Sequence, residues 1–85
     1  ADNHTPEAEM LNREILQTVE AAVAKLPEDL RKAITLREME GLSYEEIAQI
    51  MDCPIGTVRS RIFRAREVIA KDLRPLLDTS EDQRW

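Results

Sequence analysis

The sequence contains a single cysteine and a single histidine, so the residue types that form disulfides and most zinc sites are almost absent from it. One cysteine excludes a disulfide within the chain. A metal ion needs several ligands, and Cys53 has no second cysteine to join it, while His4 lies in a polar stretch at the start of the sequence. We therefore predict no metal site and expect Cys53 to be a small residue in a turn.

Long apolar runs and strand-like alternation are also missing. No apolar stretch approaches the roughly 20 residues that a membrane span requires, and no basic segment followed by an apolar run resembles a secretion signal. With 85 residues, the chain would bury only about 60% of its unfolded surface, which leaves little space for the cleft of an enzyme. We expect an all-α domain in the cytoplasm, without a sheet, catalytic residues, a cofactor or a small-molecule substrate.

Basic charge is concentrated in one part of an acidic chain. The formal net charge is −5, yet residues 53–75 hold six basic and two acidic residues, whereas segments 1–25, 26–52 and 76–85 are all net acidic. A nucleic-acid duplex would be repelled by most of the surface and attracted to the part that residues 53–75 form. The charge pattern therefore predicts both a nucleic-acid partner and the side of the domain that meets it.

Helix start and stop signals predict a small domain of four helices. A first helix, with Thr5 as its N-cap, covers about residues 6–25, and a second covers about residues 28–40 and stops at Gly41. The apolar repeats predict the core residues of the third helix as Ile47, Ala48, Ile50 and Met51, and those of the fourth as Ile55, Val58, Ile62, Ala65, Ile69, Leu73 and Leu76.

The third and fourth helices are separated by a very short turn. Ser43 and Glu46 match a capping box, which begins the third helix. Asp52 and Cys53 then form the turn, and Pro54 opens the fourth helix. Two helices joined by so tight a turn have the layout of a helix-turn-helix.

Domain boundaries follow from the same pattern. We interpret residues 1–4 as the end of a linker, residues 5–77 as the helical domain, with its helix-turn-helix at about 43–71, and residues 78–85 as a flexible tail. Pro75 is expected to end or kink the fourth helix, because proline lacks the N–H that a helix interior needs.

One face of the fourth helix combines arginines with a serine and a phenylalanine. At about 100° per residue, the outward surface of this helix contains Arg59, Ser60, Phe63 and Arg64. Arginine bonds guanine bidentately, serine bonds bases or phosphate, and an aromatic edge contacts a thymine methyl, so this surface suits a major groove. The alternative is a solvated face, whose arginine stems cover apolar core and whose ion partner is Glu67.

Two other residues each have two interpretations. Tyr44, at the start of the third helix, is either a phosphate contact or a half-buried ring. Arg37 is polar within an apolar stripe, so it either reaches a phosphate or pairs with an acid inside the fold. We favour the phosphate for Arg37 and leave Tyr44 open.

The middle of the chain resembles region 4 of extracytoplasmic-function sigma factors, particularly the sigma-E-like group of Gram-negative bacteria. The resemblance covers about residues 25–77 and rests on the run LPEDLRKAITLREMEGLSYEEIAQIMDCPIGTVRSRIFRAREVI. It implies a domain that recognises the minus-35 promoter element with the second helix of the motif in the major groove. By resemblance, the base-reading positions are Arg59, Ser60, Phe63 and Arg64, and the backbone-contacting or supporting positions are Arg37, Tyr44, Glu45, Thr57 and Arg61.

The same resemblance implies protein partners. Region 4 in this family contacts the beta-subunit flap of RNA polymerase, directs the polymerase to stress-response genes, and is masked by an anti-sigma factor that is commonly anchored in the inner membrane. We expect this sequence not to include the sigma domain that in the family binds the minus-10 element and melts DNA, and this chain alone would then not initiate transcription.

Two other functions remain open at this point. The domain could work mainly as a protein-binding module for the polymerase flap or an anti-sigma factor, because it is net acidic and because Val68 and Leu77 fall off the apolar stripe. The output domain of a response regulator shares the motif but fits the LPEDLR run poorly.

Overall fold

The computed structural model of the chain describes residues 6–82, with the backbone alone described for residues 78–82. Its helices are α1 (Pro6–Lys25), α2 (Glu28–Glu38), α3 (Tyr44–Met51) and α4 (Ile55–Asp82), and the described residues contain no strand. The predicted all-α fold with four helices is confirmed. Thr5, the linker residues 1–4 and residues 83–85 lie outside the described part of the chain.

A small apolar core forms where α4 meets α2 and α3. Its largest fully buried side chains are Ile47, Val58 and Ile62, and burying each contributes about 1.5–3 kcal/mol. Ala33 and Ala65 have no exposed surface, because their small side chains let the helices approach closely. The buried cluster consists of Leu26, Ala33, Ile34, Ile47, Val58, Ile62 and Ala65. This core determines which side of α4 faces solvent.

Two predicted core residues are exposed instead. Ile50 is 51% exposed and Ile55 is 37% exposed. At about 100° per residue, Ile47 and Met51 share one side of the eight-residue helix α3, and Ile50 falls on its flank. Ile55 is the first residue of α4 and lies beyond the end of the core.

The second helix ends earlier than its sequence predicts. The N–H of Glu40 bonds to the carbonyl of Thr35 at 3.2 Å, and the N–H of Leu42 bonds to that of Leu36 at 3.1 Å, so the regular four-residue spacing has stopped. Gly41 has a φ of +72°, a left-handed conformation that glycine adopts without steric cost. The predicted stop at Gly41 is confirmed, but α2 ends at Glu38 rather than Glu40.

The capping box at the start of α3 is confirmed. Ser43 Oγ accepts a hydrogen bond from the Glu46 N–H at 3.1 Å, and the Ser43 N–H donates to the Glu46 carboxylate at 2.8 Å. The bond from the Ser43 backbone, followed by the bond with its side chain, lowers the pKa of the Glu46 carboxyl below its ordinary value. Both partners therefore define where α3 begins.

The turn between α3 and α4 depends on one unusual residue. Asp52 has a φ of +53°, and Cys53 follows it with its N–H bonded to the carbonyl of Ala48 at 3.0 Å. Aspartate is among the few side chains that enter the left-handed region with little cost. The carbonyl of Pro54 accepts the N–H of Val58 at 3.2 Å, and α4 starts directly after it.

The fourth helix continues through Pro75. It extends over 28 residues to Asp82, so proline does not end it. Pro75 lacks an N–H and removes one bond of the helix, but half-buried Leu73 and Leu76 on either side continue the apolar stripe. Residues 78–82, which the sequence assigned to a flexible tail, are helical. The domain boundaries themselves stay predictions.

The first helix lies on the edge of the domain. Ala22 is its only buried residue, and α1 packs against α4, where Lys25 Nζ lies 3.1 Å from Asp72 Oδ2. None of the helices within residues 6–82 combines the length and apolar character that a membrane crossing needs.

Candidate nucleic-acid interface

The four predicted base-reading residues lie together on one exposed face of α4. We call this surface, formed by Arg59, Ser60, Phe63 and Arg64, the outer face. Phe63 is 64% exposed, whereas its neighbour Ile62 is 1% exposed, so the change from core to solvent takes a single residue. The predicted exposure is therefore confirmed, and the role in reading bases stays a prediction.

A polar hollow of about 310 Å³ adjoins the outer face. It lies between the first turns of α2 and α4 and is lined by Asp29, Leu30, Gly56, Thr57, Ser60, Arg61 and Arg64. Threonine, serine and arginine side chains are common donors to the phosphate oxygens of DNA. The hollow thus brings Thr57, a predicted backbone contact, next to two base-reading candidates.

Two of the arginines of α4 are bound to acids of α2. Arg61 Nε lies 3.6 Å from Asp29 Oδ2, and Arg66 forms a hydrogen-bonded ion pair with Glu38. The bond with Glu38 raises the pKa of the Arg66 guanidinium, and the Tyr44 side chain adds a smaller contribution. These pairs attach α4 to α2, and their acids are Asp29 and Glu38 rather than Glu67, the ion partner that the alternative of a solvated face named.

Arg61 also reaches the turn. Its Nη1 lies 3.7 Å from Cys53 Sγ, and both side chains are half-buried. Cys53 lies in the turn as the sequence predicted. The position of Arg61, between the start of α2 and the turn, is that of a residue supporting α4.

Two arginines from different helices contact the ring of Tyr44. Its half-buried ring has Arg37 Cζ at 4.8 Å and Arg59 Cζ at 5.7 Å from the ring centroid. Arg37 also donates from Nη1 to the carbonyl of Leu42 at 2.8 Å. Arg37 therefore binds a backbone carbonyl and a ring inside the fold, not the acid that one of its two interpretations named.

Sequence reasoning missed this arrangement of three side chains. Arg37 and Tyr44 flank the loop after α2, and Arg59 belongs to another helix, so no local spacing links them. Glu45 is exposed in the first turn of α3, where its charge suits the helix dipole. Among the described residues, no hydrogen bond or ion pair connects Glu45 to the outer face.

Within residues 6–82, no cluster of His, Cys, Asp and Glu side chains could hold a metal ion.

A second surface is apolar. An open groove of about 750 Å³, which we call the apolar groove, runs between α1, α2 and α4. Met39 and Leu16 line it and are 80% and 58% exposed, and Arg31 and Glu38 are among its charged residues. Its wall is completed by Val19, Glu20, Val23, Ala24, Ile34, Thr35, Arg66, Ile69, Ala70 and Leu73.

Comparison with known proteins places the chain in one family. The sequence model of the family described as sigma-70, region 4 matches residues 16–69. The chain is 63% identical over 76 residues to the ECF RNA polymerase sigma-E factor of Haemophilus influenzae, which covers 89% of this chain and 40% of that protein. It is 64% identical over 76 residues to the RNA polymerase sigma-H factor of Pseudomonas aeruginosa, covering 89% and 39%.

The ECF RNA polymerase sigma-E factor of Escherichia coli (strain K12) is 65% identical over 72 residues, covering 85% of this chain and 38% of that protein. The chain therefore spans about 40% of the length of the curated relatives it matches.

Proposed function

The chain belongs to the sigma-70 region 4 family, and from this premise we propose that it recognises the minus-35 promoter element for an extracytoplasmic-function sigma factor. In this function it directs RNA polymerase to stress-response genes, without enzymatic activity, a cofactor or a small-molecule substrate. Because promoter DNA and polymerase are in the bacterial cytoplasm, the domain works there.

The outer face is the observation that carries this proposal. It places arginine donors and an exposed aromatic ring on the one basic segment of an acidic chain. In a major groove, Arg59 and Arg64 bond guanine or phosphate, and Phe63 contacts a thymine methyl. The acidic remainder of the surface repels DNA, so the duplex meets α4 in one orientation.

Around the bases, other residues contact or support the DNA backbone. Thr57 borders the polar hollow beside the outer face, and the ring of Tyr44 contacts both Arg37 and Arg59. Arg61 supports α4 through Asp29. Glu45 remains among the proposed supporting residues, at the N-terminus of α3.

A salt titration tests the DNA-binding proposal. Fluorescence anisotropy measures binding of the chain to a duplex carrying a minus-35 element from a sigma-E-dependent promoter. Arg64→Ala removes one base contact and should weaken binding by about 1–3 kcal/mol. Arg74→Ala is the matched control, because it removes the same charge from an exposed residue about 15 Å further along α4.

Affinity should fall steeply as salt rises, since each neutralised phosphate releases counterions. A flat salt dependence, or equal losses for Arg64→Ala and Arg74→Ala, would contradict the proposal.

The apolar groove favours a second function, docking on RNA polymerase. The relatives are RNA polymerase sigma factors by name, and Met39 is a large apolar side chain left 80% exposed on a small domain. Exposed apolar patches with a charged rim mark protein-binding sites. We assign the groove to the beta flap of the polymerase, and a membrane-anchored anti-sigma factor is the competing partner that masks the domain.

Calorimetry with a beta-flap peptide and with the cytoplasmic segment of an anti-sigma factor tests this assignment. Met39→Glu places a charge in the groove and should weaken flap binding at least about tenfold. Ile50→Glu makes the same change at an exposed site on α3, outside the groove, and should leave binding unchanged. No complex with the flap at micromolar concentrations, or binding of the anti-sigma segment alone, would contradict the assignment.

A further inference from the structure

Two arginines, one from α2 and one from the outer face of α4, lie over the ring of Tyr44. We infer that Tyr44 is a positioning residue, whose ring holds the guanidinium of Arg59 in place before DNA arrives. The inference rests on the proposed DNA-binding function for its purpose, while the contact itself belongs to the free domain. It assigns specificity in part to a residue that need not touch a base.

Fixed backbone and side-chain contacts hold the ring of Tyr44 in place. Tyr44 is the first residue of α3, directly after Ser43, whose capping box sets the start of the helix. On α2, Arg37 lies 4.8 Å from the ring centroid, and its bond to the Leu42 carbonyl at 2.8 Å fixes its guanidinium. Side chains that hold a binding residue on such fixed elements keep it near its bound geometry.

Arg59 lies at the edge of cation–π range. Its Cζ is 5.7 Å from the Tyr44 centroid, inside the limit of about 6 Å for attraction to an aromatic ring. Neither Arg37 nor Arg59 has an ion pair among the described residues, whereas nearby Arg66 is bound to Glu38. The ring of Tyr44 is thus the group that attracts Arg59, while Arg37 also binds the Leu42 carbonyl.

Positioning has a consequence for binding. A free arginine loses much rotamer freedom when it binds a base, and an arginine already held on a ring loses less. Its N–H donors remain in the guanidinium plane and stay available to guanine acceptors. The ring of Tyr44, rather than its hydroxyl, should therefore support base recognition by Arg59.

Two simpler roles compete with this one. The Tyr44 hydroxyl could bond a DNA phosphate, or the ring could serve only as packing, since it lies against the buried cluster. Tyr44→Phe keeps the ring and removes the hydroxyl. Tyr44→Leu removes the ring, and Tyr44→Met does so with a flexible side chain that fills a similar space in case Tyr44→Leu does not fold.

The experiment combines NMR of the free chain with DNA binding. In the wild type and in Tyr44→Phe, ring current should shift the side-chain protons of Arg59 upfield, and this shift should disappear in Tyr44→Leu or Tyr44→Met. Binding to the minus-35 duplex should be unchanged within about twofold in Tyr44→Phe and weakened about two- to fivefold when the ring is removed. In an Arg59→Ala background, removing the ring should cause no further loss.

Three results would overturn the inference: no ring-current shift of Arg59 in the wild type, an equal loss of binding in Tyr44→Phe and Tyr44→Leu, or an unreduced loss in the Arg59→Ala background. Failure of the wild-type chain to bind the duplex would instead sink the proposed function. In either case, the ring-current shift of the Arg59 protons shows whether the Tyr44–Arg59 contact exists in the free chain.

Discussion

The helix-turn-helix and the α1 edge of this domain differ in how their apolar residues are covered. In α3 and the first half of α4, Ile47, Val58 and Ile62 are fully buried. On the other side, α1 contributes one buried residue, Ala22, and leaves Leu16 58% exposed along an open groove. The helix-turn-helix buries its apolar residues against α2, whereas the α1 edge offers apolar surface that a partner would cover.

The strongest test of this comparison replaces two isoleucines of α4, one in the buried core and one that lines the apolar groove. Ile62→Ala empties a fully buried site and should reduce the free energy of unfolding by about 2–5 kcal/mol. Ile69→Ala, on the same helix but half-buried at the apolar groove, should cost clearly less. Urea denaturation measures both variants, and equal losses would mean that the two regions are equally well packed.

A smaller effect separates stability from recognition within the helix-turn-helix. Ser43→Ala removes the cap of α3 and should cost about 1 kcal/mol of stability. Ser60→Ala changes an exposed serine of the outer face and should leave stability within about 0.5 kcal/mol. Thermal unfolding followed by circular dichroism compares them, and a larger loss for Ser60→Ala would show that the outer face also stabilises the fold.

The smallest expected effect is a pH dependence at the same cap. In the folded chain the pKa of Glu46 lies below its ordinary value of 4.5. At a pH above this ordinary pKa, the ionised carboxylate therefore stabilises the fold. This stabilisation is lost as the pH falls from the ordinary pKa of Glu46 through its lowered pKa in the folded chain.

Glu46→Gln keeps an acceptor for the Ser43 N–H but cannot titrate. As the pH falls through this window, the wild type should therefore lose stability relative to Glu46→Gln. Urea denaturation at neutral pH and at several acidic values measures it. A difference that stays constant with pH would mean that ionisation of Glu46 does not stabilise the cap.

Local signals were sufficient for much of the fold. The capping box, Gly41 and Pro54 each act on neighbouring backbone groups, so the sequence alone located the start of α3 and both turns. The apolar repeat also identified the outer face, because periodicity determines which side of a helix points away from the core.

Features that depend on contacts between helices could not be predicted in this way. The pairs of Arg61 with Asp29 and of Arg66 with Glu38 require knowing which side of α2 faces α4. The contact of Tyr44 with Arg59 requires knowing how α3 packs on α4. Ile50 shows that, in a helix as short as α3, the apolar repeat does not separate a residue on the flank from a residue in the core. Pro75 shows that a single proline does not always end a long helix.

The length of α4 has one more consequence. The outer face and the wall of the apolar groove are parts of one continuous helix, and Phe63 and Ile69 are separated by only about 9 Å along its axis. The spacing between the outer face and the groove is then set by helical rise, without a hinge or linker. Inserting one residue between Arg64 and Ile69 would turn the two surfaces by about 100° relative to each other and misalign any two partners bound at once.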